Sequence, residues 1–210
     1  MSTPRFDLFL PIHKAIRFAL ADLLTRMGTT DFADAKAAER IAGDLSQILA
    51  LCEDHRQTED EIIFPMLRSR MSGDLVSILD DHDDQKRIVE ELTAASKTLL
   101  AESAENRPVV GRTLYLHFSK FVGELLAHMA EEEQVASPLF ASLFNDEEVR
   151  GVHAKAMAHL SMEAHARGAR YILRAVNRPE RIALMTGALA LFPKEAVVAF
   201  VDAGFAGVAS

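Results

Sequence analysis

The chain has one cysteine, Cys52, and no tryptophan. A lone cysteine excludes an intramolecular disulfide and any zinc cluster built on thiolates. A bound metal would have to be held by histidine and carboxylate. Glycine (10) and proline (7) are scarce for 210 residues, poor material for a many-turned β protein and good material for long helices. No run of 18 apolar residues occurs; the nearest, 182–208, is interrupted by Lys194, Glu195 and Asp202, so no membrane span is expected. The first apolar run is shorter than a secretory leader requires, and the acidic Asp7 lies just before it. Positive charge is also short. Lys plus Arg is 23 against 31 for Asp plus Glu, a formal net charge of −8, which disfavours nucleic-acid binding. These absences predict a cytoplasmic protein with neither a membrane nor a nucleic-acid partner.

What remains is 49% hydrophobic and 26% charged, an ordinary globular balance, with eight histidines. The periodicity is helical almost throughout. Ile12, Ile16, Ala19, Leu20, Leu23 and Leu24 follow the i, i+3, i+4 rule and predict a first helix over 11–27. Pro11 suits its first turn and Gly28 its end. A second helix is expected over 33–69, kinked or reset at Pro65. Ser72-Gly73 reads as a turn, followed by a third helix over 74–104. Pro108 opens a fourth, running to Phe144 through a second interruption at Pro138. Asn145 is suited to cap a fifth, over 146–176. Pro179 and Pro193 mark two shorter helices. No segment alternates cleanly with period two. The pattern predicts an all-α protein: an up-down-up-down four-helix bundle over 1–144, and an accessory helical segment over 145–210.

The informative feature is a repeat. The chain reads HRQTEDEIIFPML from His55 and HMAEEEQVASPLF from His128. Each copy has Glu at +4 (Glu59, Glu132), Pro at +10 (Pro65, Pro138) and an apolar residue at +12 (Leu67, Phe140). Upstream of the copies stand His13, 42 residues before His55, and His82, 46 residues before His128. Residues i and i+4 share a helix face, so each His-x3-Glu pair can offer an imidazole and a carboxylate to one centre. On the expected boundaries, at ~1.5 Å per residue, the levels of His13, Glu59, His82 and Glu132 agree within roughly one turn. Six side chains can then face one point inside the bundle. Imidazole and carboxylate together suit iron, zinc or manganese.

The opening PIHKAIR, the DDHDDQK around His82 and the two His-x3-Glu segments resemble the hemerythrin-like family, the HHE cation-binding domain, over residues 8–144. The resemblance implies a four-helix bundle holding a non-haem di-iron centre. It implies His13, His55, Glu59, His82, His128 and Glu132 as ligands, with Glu59 and Glu132 bridging two iron ions. Oxygen-carrying relatives have His-x3-His on the third helix and an aspartate on the fourth. Here Lys86 stands four residues after His82, and the fourth helix offers Glu132. One fewer ligand leaves more room for a small molecule. The expectation is therefore binding of, or reaction with, O2, NO or peroxide, in sensing, stress protection or iron homeostasis, rather than simple oxygen carriage. Enzymatic turnover of peroxide or NO, and a metal-regulated interaction module, are the competing readings.

The remaining candidates read more plainly. Glu61, Glu131 and Glu133 are expected as solvated neighbours, one of which could instead orient a histidine. His117 is expected to hydrogen-bond within the core or between helices, and His153, His159 and His165 to lie on the surface. Arg17 and Lys86, each four residues after a histidine, are expected in solvent, with the lining of an anion or substrate entrance as the alternative, and Cys52 as a buried apolar side chain. The apolar residues of the last helices, among them Met185, Leu189, Phe192, Val197, Phe200 and Phe205, should pack on the bundle or form a homodimer surface.

Overall fold

The structure, a computed structural model, describes residues 6–71, 76–191 and 193–205. The expected turn at Ser72-Gly73 and the side chains of Phe192 and Phe205 lie outside the described residues. Four long helical segments form the bundle: α1 (Leu10–Thr29), α2 (Ala35–Thr58), α4 (Val76–Ala101) and α5 (Arg107–Leu143). Helix α2 continues through a π-helical turn, Glu59–Ile63, into the short α3, Phe64–Arg68. The segments neighbour one another in a ring, α1 on α2, α2 on α4, α4 on α5 and α5 on α1. Four more helices follow: α6 (Asp146–His159), α7 (Met162–Ala175), α8 (Arg178–Leu191) and α9 (Lys194–Phe205). No strand occurs among the described residues.

Helix starts follow local chemistry. The Asp7 carboxylate accepts from the Phe9 and Leu10 backbone N–H groups, capping α1 ahead of Pro11. Asp34 caps α2, and Asn145 caps α6 in a reciprocal box with Glu148. The buried Arg107 donates to the carbonyls of Ala33 and Glu102, tying the start of α5 to two neighbouring segments.

Four expectations are corrected. Gly28 does not end the first helix but lies inside it, with the Tyr115 ring 3.4 Å from where a Cβ would sit. The single helix expected over 146–176 is two. Leu160 and Ser161 are extended, and the Ser161 side chain accepts from Ala164 N–H to start α7. The second helix is reset not at Pro65 but in the π turn before it. There Phe64 N–H reaches Glu59 O, five residues back. The wider turn absorbs the proline that follows. The matched Pro138 lies inside α5, which continues through it.

The apolar interior forms two clusters. One surrounds Ile16, Leu20, Leu45, Ile48, Phe118 and Phe121. The other surrounds Phe9, Phe64, Leu67, Phe140 and Phe144 and also takes in Val149 and Val152 of α6. Tyr171 of α7 joins the first cluster, so α7 packs on α1 and α2. Helix α9 lies close on α7: a Cβ on Gly204 would come 2.6 Å from Leu173 Cδ1.

Glycines separate two mutational outcomes. A Cβ on buried Gly111 would clash with the Phe32 ring, whereas one on Gly123, exposed on the same helix, would meet nothing within 4 Å. In denaturant unfolding, Gly111→Ala should cost about 1–3 kcal/mol. Gly123→Ala should add roughly 0.5–1 kcal/mol.

Candidate metal centre

A polar layer separates the two apolar clusters. Along α1, His13 stands between Phe9 of one cluster and Ala15 and Ile16 of the other. His55 and Glu59 stand between Cys52 and Ile63, and His128 and Glu132 between Leu125 and Ala136, with Met129 alongside. His82 enters from α4 against the Phe64 ring. All six residues expected as ligands are buried, and His13, Glu59 and Glu132 have no exposed surface at all.

The structure brings these six together. His13 Nε2 lies 3.3 Å from Glu132 Oε2 and 3.9 Å from Glu59 Oε1. His55 Nε2 lies 3.3 Å from Glu59 Oε1. His82 Nε2 lies 3.7 Å from Glu59 Oε2 and 3.8 Å from Glu132 Oε1, and His128 Nε2 lies 3.2 Å from Glu132 Oε1. Two groups result. In each, one donor atom per residue lies within 4.8 Å of all the others: His13, His55, Glu59 and Glu132 in one, Glu59, His82, His128 and Glu132 in the other. Both glutamates belong to both groups.

Within this layer, His13 Nε2, His55 Nε2 and all four oxygens of Glu59 and Glu132 are buried without a hydrogen-bond partner. Buried carboxylate oxygens left in this way are costly unless a cation or proton meets them. Orphaned nitrogen and oxygen atoms converging on two points fit a pair of divalent or trivalent cations. In the protein's own electrostatics, protons take that role. Burial pushes the Glu59 carboxyl up to about 8, with Glu132 beside it adding repulsion. Burial would also depress His13, but the Glu132 and Glu59 carboxylates outweigh it and hold the imidazole at about 10. His82 is likewise held at about 9, by Asp60 and Glu132 against burial. Glu132, although buried, stays well below the usual carboxylate range because three histidines approach it. Burial drives His55 well below an ordinary imidazole, leaving it neutral.

The outer nitrogens of three histidines meet carboxylates. His13 Nδ1 is 2.9 Å from Glu133 Oε1, which also accepts from Arg17. His82 Nδ1 is 2.6 Å from Asp60 Oδ1, and Asp60 in turn accepts from Arg56. His128 Nδ1 is 3.2 Å from Asp81 Oδ2. Glu133 is thus the one of the three acidic neighbours that orients a histidine, and Arg17, expected in solvent, is bonded behind it. Sequence reasoning missed Asp60 and Asp81. For Asp60 the signal lay in the acidic residue that follows each glutamate, Glu59-Asp60 and Glu132-Glu133. The first of each pair enters the layer and the second backs a histidine on a neighbouring helix.

The other histidines stay apart. His117 pairs with Glu91 across α4 and α5, an interhelix contact as expected. His159 of α6 lies 3.7 Å from the exposed Glu61. His153 packs edge-on against Phe6, and His165 Nε2 contacts the Met157 carbonyl oxygen. Burial pushes the Cys52 thiol up to about 12, far from thiolate reactivity.

The hemerythrin HHE cation binding domain model matches residues 6–140. The chain belongs to that family. Among curated proteins it is similar to a zinc finger protein, BRUTUS-like, of Arabidopsis thaliana, 28% identical over 143 residues. That match covers 67% of this chain and 11% of the relative. It is also similar to F-box/LRR-repeat protein 5 of Salmo salar, 23% identical over 158 residues, covering 75% of this chain and 22% of the relative. The HHE chain thus spans a small part of either protein. No solved structure gives a significant match. No helix of the described residues is long and apolar enough to cross a membrane.

The proton-bearing HHE site sets a pH trend for protein stripped of metal. His13, His82 and Glu59 all titrate above their ordinary values, so each holds its proton more tightly folded than unfolded. Their stabilisation is complete below the unfolded values and is lost as pH rises through the folded ones. The midpoint of thermal unfolding of stripped protein should therefore fall between about pH 7 and 10. A midpoint that is flat or rises over that window would contradict this electrostatic account.

Proposed function

We propose that His13, His55, Glu59, His82, His128 and Glu132 hold two iron ions, with Glu59 and Glu132 shared between them. The observation that carries this reading is the pair of four-residue groups that have both glutamates in common. The six orphaned atoms of the layer support it, since bound cations would meet them. Zinc or manganese suits the same donors. Each pocket has four protein donors, and an iron that prefers more ligands would keep open positions for a small molecule. The bound metal would supply Lewis acidity and redox chemistry toward O2, NO or peroxide. The role we favour is sensing, protection against oxidative or nitrosative stress, or iron homeostasis in the cytoplasm. Residues 1–144 would form the metal-holding unit and 145–210 an accessory segment.

The chain's own residues have definite tasks in this reading. Glu133, Asp60 and Asp81 hold the outer protons of three histidines and aim each Nε2 inward, where it would become a donor once its own proton has left. The apolar clusters on both sides exclude bulk water from the layer. Protons held on His13, His82 and Glu59 must leave when cations enter.

Reconstitution of stripped protein with Fe(II) under anaerobic conditions should give about two irons per chain and release roughly two to three protons at neutral pH. Calorimetry in buffers of different ionisation enthalpy reads the protons, and elemental analysis the metal. Glu59→Gln and Glu132→Gln should each reduce the iron retained. Failure to take up any metal would overturn the proposal. Steady-state consumption of peroxide or NO by loaded protein would mark it as an enzyme, whereas stoichiometric binding alone fits a sensor.

A further inference from the structure

The two pockets are related by the sequence repeat. His13 and His82 correspond, as do His55-x3-Glu59-Asp60 and His128-x3-Glu132-Glu133. The correspondence extends to the outer carboxylates: Glu133 backs His13 from α5, and Asp60 backs His82 from the π turn after α2. Each of those carboxylates is fixed in turn by an arginine one turn from a ligand, Arg17 or Arg56. One contact breaks the repeat. Asp81, the residue before His82, reaches across to His128 Nδ1. Its counterpart before His13 is the apolar Ile12, which packs against the core. Among the described residues, His55 has no carboxylate on its outer nitrogen.

We infer that Asp81 is a positioning residue that makes the two pockets unequal, the His82/His128 pocket binding metal more tightly than the His13/His55 pocket. The inference rests on the metal centre proposed above. A carboxylate accepting the Nδ1 proton fixes the tautomer, locks the ring and makes Nε2 a stronger donor. In one pocket both imidazoles are backed in this way; in the other only His13 is. The Asp81 side chain is half exposed, so it can be changed without opening the core.

The test is an anaerobic titration of stripped, full-length protein with Fe(II) against a chromophoric chelator, resolving stepwise affinities. Wild type should show two steps. His128→Ala should abolish the tighter step and His55→Ala the weaker one. Asp81→Asn should weaken the tighter step by roughly 10-fold or more, leave the weaker one in place and so narrow the gap. Asp81→Glu, which keeps the carboxylate, should retain most of the gap. A purely structural effect of the asparagine would move both steps together and lower the thermal midpoint of the stripped protein. Two equivalent sites in wild type, or an Asp81→Asn variant in which both steps move together or neither moves, would overturn the inference and leave the metal centre standing. Absence of any uptake would overturn the metal centre itself.

Discussion

Two carboxylates with no exposed surface, Glu59 and Glu132, govern the rest of the molecule. Neither has a hydrogen-bond partner for either oxygen, and each sits between apolar clusters. A low-dielectric setting makes unmet negative charge expensive, so something positive must share the layer. Four histidines converge there from four helical segments, and three of them approach Glu132 closely enough to keep it ionised. The bundle can thus be read as a frame that holds two acids away from water while surrounding them with bases that a cation can displace.

The frame accounts for the helix spacing. An i, i+4 pair delivers one imidazole and one carboxylate to the same level only where the backbone keeps its α pitch from histidine to glutamate. That holds for His55 to Glu59 and for His128 to Glu132. Below that level the two copies diverge. After Glu59 the chain widens into the π turn, which adds Phe64, five residues on, to Ile63 and Leu67, four and eight residues on, in the second apolar cluster. After Glu132 the helix keeps its pitch, and Ala136 and Phe140, four and eight residues on, fill the same cluster. Two sequences of matched spacing therefore build one layer by different backbone routes.

Most of this was legible in the residues. The doubled His-x3-Glu pattern located four of the inner side chains, because helical periodicity converts spacing directly into direction; His13 and His82 followed from their levels along the expected helices and from the family resemblance. The capping chemistry of Asn145 was equally readable. The break at Leu160–Ser161 was not anticipated, although Ser161 is a good cap, because apolar periodicity continues on both sides of it. The π turn was invisible because Pro65 offered a simpler reason for a kink. Asp60 and Asp81 were missed for a different reason. Their partners lie on other helices, and cross-helix contacts depend on rotation and stagger that no single segment encodes.

The four helical segments contribute unequally to the two pockets. Glu59 and Glu132 are common to both, so α5 and the end of α2 are needed throughout. Only the pocket with His13 needs α1, and only the pocket with His82 needs α4. Loss of α1 from the layer would remove His13 from one group, while Glu59, His82, His128 and Glu132 of the other stand on α4, α5 and the turn after α2. Helix α1 is also the helix on which α7 lies, and Lys14, next to His13, is bonded to Glu180 of α8. The C-terminal helices therefore clasp the α1 side of the layer, and they add to the cost, already set by the buried face of α1, of exposing that one pocket.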